Sequence, residues 1–213
     1  MNLGDLLPAP LLWWASVAVL GAALALAVLS APWRALLARR ERQHALGLTI
    51  ILLPMLWSMS PGLPAGVKLQ LIGMTAVTLI FGWQLALVAG LIAAGVMGVV
   101  GTWSLAALPV NAVLVVLVPL VVTVAVLAAA NRLRRTNLFV YMLGVGFGGS
   151  MLAILGSLLV GTWLVGPGLD HAVVMLMAFP EGFLNGTIVS ALTVFHPDLV
   201  RTYDDVRYLG KRR

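Results

Sequence analysis

The chain has 213 residues, of which 62% are hydrophobic and 9% charged, with a formal net charge of +6 and no cysteine. A soluble domain carries about 25% charged residues, so this chain cannot cover a water-facing surface and reads as a single integral membrane domain, residues 1–213. The lack of cysteine excludes disulfides, thiolate catalysis and thiolate metal sites.

A spanning helix needs about 20 predominantly apolar residues. Runs at about 11–33, 44–60, 69–81, 85–103, 110–130, 138–165 and 171–195 predict an all-α bundle of seven transmembrane helices, with a tail over 196–213. The opening "MNLGDLLPAP" has no basic stretch ahead of an apolar one and is not read as a signal peptide. The first span carries two stripes of small residues, Ala15, Ala18 and Ala22, and Ala23, Ala27 and Ala31. Such stripes let helix backbones approach closely, inside the bundle or against a membrane partner. The third span is short. It forms one uncharged run with the fourth, and "FGWQ" (81–84) is the turn between them. In the fifth span Pro119 cannot donate a backbone N–H, so a freed carbonyl must be satisfied by a cavity or a neighbouring helix. The sixth has a Gly/Ser-rich surface in "GVGFGGSMLAILGS".

Charge sets the direction. With the N-terminus outside, "RALLARRER", "NRLRR" and the tail "RTYDDVRYLGKRR" all fall on the cytoplasmic side, and Lys68 is the only Lys or Arg that does not. Lys and Arg near span ends favour the cytoplasm. The basic net charge is therefore a topology signal, and it argues against a nucleic-acid partner.

Several chemistries are excluded by what the spans lack. No lysine lies within a late helix for a Schiff base, no histidines pair inside the bundle, and there is no zinc-protease, P-loop or dinucleotide motif. An enzyme is not expected. A binding or transport protein, or a membrane interaction subunit, is. On the outer side, Asp170 and His171 form the only acid–imidazole pair. Both residue types bind divalent metals, and an Asp before a helix is equally an N-cap. Asn111 opens the fifth span as a cap or as an amide facing a cavity. Glu181 lies about 15 Å into the last helix at 1.5 Å per residue, with Asn185 one turn on. An acid at that depth faces the bundle interior, either as a polar clamp or as an ion or proton site.

The stretches "QLIGMTAVTLIFGWQLALVAG" (70–90) and "LPVNAVLVVLVPLVVTVAVLAAANRLRR" (108–135) resemble the CbiM/NikM family. These are the substrate-capturing membrane components of energy-coupling-factor ABC transporters for cobalt and nickel. The resemblance covers roughly residues 45–165. It rests on Gly73, Phe81 and Gly82 in register, and on Asn111 at the next helix start. It implies a seven-span, N-out fold in the bacterial inner membrane, a partner transmembrane subunit and cytoplasmic ATPases. It also implies that a nickel or cobalt ion is captured at the outer face near Met1, Asn2, Gln70 and Asn111. The family has histidines where this chain has Asn2 and Gln70, and amides are poorer ligands than imidazole for these metals. Two other functions fit the residues: a non-catalytic membrane subunit packed in a larger complex, and a solitary transporter using Glu181.

Overall fold

A computed structural model describes residues 9–59, 70–133, 137–165 and 171–209. Among the described residues the structure is helical, with no strands. Helix α1, Pro10–Ser30, starts with proline at its first turn, where no backbone donor is needed. It ends because Pro32 forces the preceding Ala31 into an extended conformation (φ −66°, ψ 143°). A short α2, Trp33–Leu37, leads into α3, Arg40–Ser58.

The expected helix over 69–81 is where sequence and structure differ. Residues 70–73 are not helical, and α4 is only the eight-residue Met74–Phe81. Gly73 (φ +71°) turns the chain into α4, and Gly82 (φ +82°) turns it out again into α5, Trp83–Val99. Both φ values lie in the left-handed region, which only glycine enters without strain. The "FGWQ" turn is thus a break at a single glycine.

The next helix runs in three registers: α6 (Leu108–Ala112), a π-helical turn (Val113–Leu117) and α7 (Val118–Asn131). Pro119 lies at the start of α7 and has no N–H to return to the π-turn carbonyl of Leu114. The Ser157 hydroxyl donates to that carbonyl instead, at 2.8 Å. A second π-helical stretch, Val140–Gly148, continues as α8, Gly149–Val165. Helix α9 covers His171–Phe195, and α10, Asp205–Leu209, lies in the tail.

Among the described residues, four helices are long and apolar enough to cross a membrane: Pro10–Ser30, Leu108–Asn131, Val140–Leu164 and Met175–Phe195. Large apolar side chains point outward, including Leu11, Trp14, Leu29, Trp163, Phe179 and Phe183. Polar ones such as Gln70, Thr123, Glu181 and Asn185 are buried. This inversion suits a lipid solvent, and the architecture is that of an α-helical membrane protein. Hydroxyls within the helices bond back one turn, as Thr78 does to the Met74 carbonyl (2.7 Å) and Ser150 to that of Gly146 (2.5 Å).

Helix α4 is the centre of the bundle. All its residues are buried, and it touches α5, α7, α8 and α9. Close packing around it depends on glycine. A Cβ on Gly90 of α5 would stand 2.6 Å from Val116, and one on Gly182 of α9 would stand 2.9 Å from Met151. Helix α1 is peripheral and lies on α5 and α6. It buries Ala27 and half-buries Ala23, whereas Ala18 and Ala22 face outward. Only the second alanine stripe therefore packs within the bundle, because the two stripes point to different sides of the helix.

Candidate functional site

The first N–H groups of any helix lack acceptors within that helix. Helix α4 starts in the protein interior, where no solvent supplies them. Two side chains from α9, one turn apart on the same face, take that role. The Ile72 N–H donates to Glu181 Oε2 at 2.6 Å, and the Gly73 N–H to Glu181 Oε1 at 2.8 Å. The Ala76 N–H donates to Asn185 Oδ1 at 2.8 Å. Asn185 Nδ2 then donates to Glu181 Oε1 (2.7 Å) and to the Glu181 carbonyl (2.8 Å). A carboxylate at a helix amino end is also favoured by the helix dipole. Both Glu181 oxygens are engaged by donors from the protein itself, which is the geometry of a polar clamp.

The carboxyl end of α4 is held from the same quarter of the chain. The Arg201 N–H donates to the Ile80 carbonyl at 2.8 Å, and the Thr202 hydroxyl to the Leu79 carbonyl at 2.7 Å. Tyr141 OH is within 2.7 Å of the Thr202 hydroxyl. Because Thr202 spends its proton on Leu79, Tyr141 donates to it. A third tie runs sideways: Thr123 donates to the Pro119 carbonyl (2.7 Å) and so accepts from Thr75 of α4 (2.9 Å).

The non-helical segment before α4 is accounted for in the same way. Ile72 gives its N–H to Glu181, and its carbonyl accepts from the Trp57 indole at 2.9 Å. Trp57 stacks on Trp103, with ring centroids 5.3 Å apart and planes 14° apart. Gln70 breaks this pattern. It is 3% exposed, and both amide atoms, Nε2 and Oε1, lack a partner among the described residues. The Trp103 indole nitrogen is buried and has no partner among the described residues either. An orphaned buried amide costs about 1–3 kcal/mol, and such groups call for an explanation. Gln70 offers a neutral donor and a neutral acceptor, without a nucleophile or a base.

The remaining predicted residues are placed as follows. Asn111 is fully buried in α6, where its N–H bonds to the Ala107 carbonyl at 2.9 Å and it has further interactions. Met1, Asn2 and Asp170 lie outside the described residues, as does the side chain of His171, whose backbone opens α9. Among the described residues no group of three or more His, Cys, Asp or Glu could hold a metal. Sequence reasoning missed Trp57 and Trp103. Tryptophan near a span end reads as an interfacial anchor, yet both are buried, at 0% and 1% exposure. It also missed Arg201 and Thr202, which sit in a polar tail with no periodic signal.

Comparison with protein-family models, with curated proteins and with solved structures finds no match.

Proposed function

We propose that this protein is the substrate-capturing membrane component of an energy-coupling-factor type transporter, and that its ligand meets the bundle at Gln70. The observation that carries this reading is the buried Gln70 amide, unpartnered among the described residues, at the head of non-helical backbone that feeds a half-helix. Broken helices that end within the bundle are a recurrent way to build substrate sites in transporters, because unwound backbone is tolerated only in protein or beside a cavity. The four membrane-length helices, counted together with α3, α4 and α5, would make up the seven passes that this reading calls for. The end that gathers Arg42, Arg201 and Arg207 is cytoplasmic by the charge rule, which puts the N-terminus outside and Gln70 on the outer side of α4. ATP hydrolysis belongs to partner subunits, since the chain has no nucleotide motif. A ligand that engages Gln70 bears on Gly73 and on the Glu181 clamp, and α4 carries that contact to the tail.

The substrate class follows from what replaces the family's histidines. Amide donors at Asn2 and Gln70 hold nickel or cobalt weakly. The test is calorimetry with nickel, cobalt and copper, plus elemental analysis, on wild type, Gln70→Leu and a double variant, Asn2→His with Gln70→His. Metal binding by wild type that Gln70→Leu abolishes supports metal capture. Binding by the histidine variant alone supports the scaffold and assigns this chain a different, hydrogen-bonding substrate. If neither binds, metal capture by this fold is wrong.

A further inference from the structure

A second feature lies at the opposite end of the bundle from Gln70 and does not depend on the transport reading. A cavity opens between α2, α3, the end of α4 and the start of the tail. Leu36, Phe81, Leu85 and Leu199 form apolar walls, and the side chains of Arg42 and Arg201 line it with them. The hydrogen bonds of these guanidiniums among the described residues go to uncharged acceptors. Arg42 Nη2 donates to the Asp198 backbone carbonyl at 2.6 Å, and Arg201 Nη1 reaches the Phe81 carbonyl at 3.4 Å and Gln84 Oε1 at 3.3 Å. The Arg201 contacts are long for charge-assisted bonds, which run at about 2.7–2.9 Å. Arg42 Nε is buried and has no acceptor among the described residues. Burial, and after it the positive charge of Arg42, hold the Arg201 guanidinium below its ordinary value. Two cations thus converge on one cavity, and Arg42 keeps a buried donor without an acceptor among the described residues, a geometry that an anion completes.

We infer that this cavity binds the phosphate group of an anionic phospholipid. The enclosed space is only about 10 Å³, room for one water, so the phosphate sits at the mouth between the two guanidiniums. A free anion would use the guanidiniums alone. A lipid also uses the apolar walls beneath them and the exposed apolar surface of Trp33 and Leu37 on α2. Basic pockets between helices at the cytoplasmic face are suited to acidic headgroups, which are abundant in that leaflet.

The experiment reconstitutes the full chain in phosphatidylcholine nanodiscs with and without phosphatidylglycerol. It counts retained lipids by native mass spectrometry and follows thermal unfolding. Wild type should retain phosphatidylglycerol over phosphatidylcholine by about tenfold or more, because two arginines attract the acidic headgroup. Arg42→Gln should lose most of that preference and Arg42→Gln with Arg201→Gln all of it. Arg42→Gln leaves the Arg201 contacts to α4 in place, so it reads the site even if the double variant folds poorly. Arg132→Gln, an exposed arginine at the end of α7, should keep the preference. No preference in wild type, or equal loss in Arg132→Gln, overturns the site. Inorganic phosphate added to phosphatidylcholine discs should not stabilise the protein. If it stabilises wild type as well as the lipid does, the lipid assignment is wrong and the cavity is a general phosphate site.

Discussion

Gly73 and Gln70 belong to the same non-helical segment and have opposite fates. The Gly73 N–H is taken up by Glu181 at 2.8 Å, and its neighbour Ile72 is bonded on both sides. The Gln70 amide is equally buried and bonded to nothing among the described residues. The contrast separates a polar cluster complete in itself from a buried amide that has no partner among the described residues.

That contrast can be broken at several points. The largest effect is expected from Glu181→Ala, which strands two buried N–H donors and should cost about 3–5 kcal/mol. Thermal unfolding in detergent reads this directly, and an unchanged midpoint would remove Glu181 from the structural side of the comparison. Asn185→Ala removes the acceptor of Ala76 and one donor to Glu181, and should cost about 1–3 kcal/mol. Thr202→Val, at the other end of α4, removes one hydroxyl bridge and should cost about 1 kcal/mol; a loss as large as that of Glu181→Ala would make the tail the principal anchor. Gln70→Leu should move stability least, and upward by up to about 1 kcal/mol, because it relieves an orphaned amide. The same variant should lose ligand binding. A Gln70→Leu protein that is destabilised by several kcal/mol would show that the amide has a structural partner after all.

The sequence made the outline of this arrangement legible but not its centre. Length and apolar content were enough for the helices of α1, α6–α7, the 140–165 segment and α9, and Gly82 was readable as a turn. The demand that Pro119 places on a neighbour was also readable, though Ser157 as the supplier was not. The half-helix was hidden, because "LQLIG" is as apolar as a spanning helix and gives no local signal of unwinding. Its unwinding rests on Glu181, more than a hundred positions away, whose carboxylate is the acceptor that lets backbone donors stay unpaired within their own helix. Glu181 and Asn185 were recognisable as a polar pair on one face, and their depth argued for an interior position. What they clamp was not recognisable. The two alanine stripes of α1 look alike in sequence, and only packing against α5 and α6 distinguishes Ala23 and Ala27 from Ala18 and Ala22.

Taken alone, the residues determined the solvent and the local grammar of this protein. Too few charges for water, apolar runs of spanning length, and glycines and prolines at the breaks are properties of composition and of backbone sterics, which act over a few residues. Tertiary structure decided where backbone donors find acceptors and which polar groups do not. Those pairings join α4 to α3, α7, α9 and the tail, and no local pattern encodes them. In the bundle interior each unpaired group carries its full desolvation cost, so the same physics that ties Gly73 to Glu181 makes the Gln70 amide, unpartnered among the described residues, the place to look for a ligand.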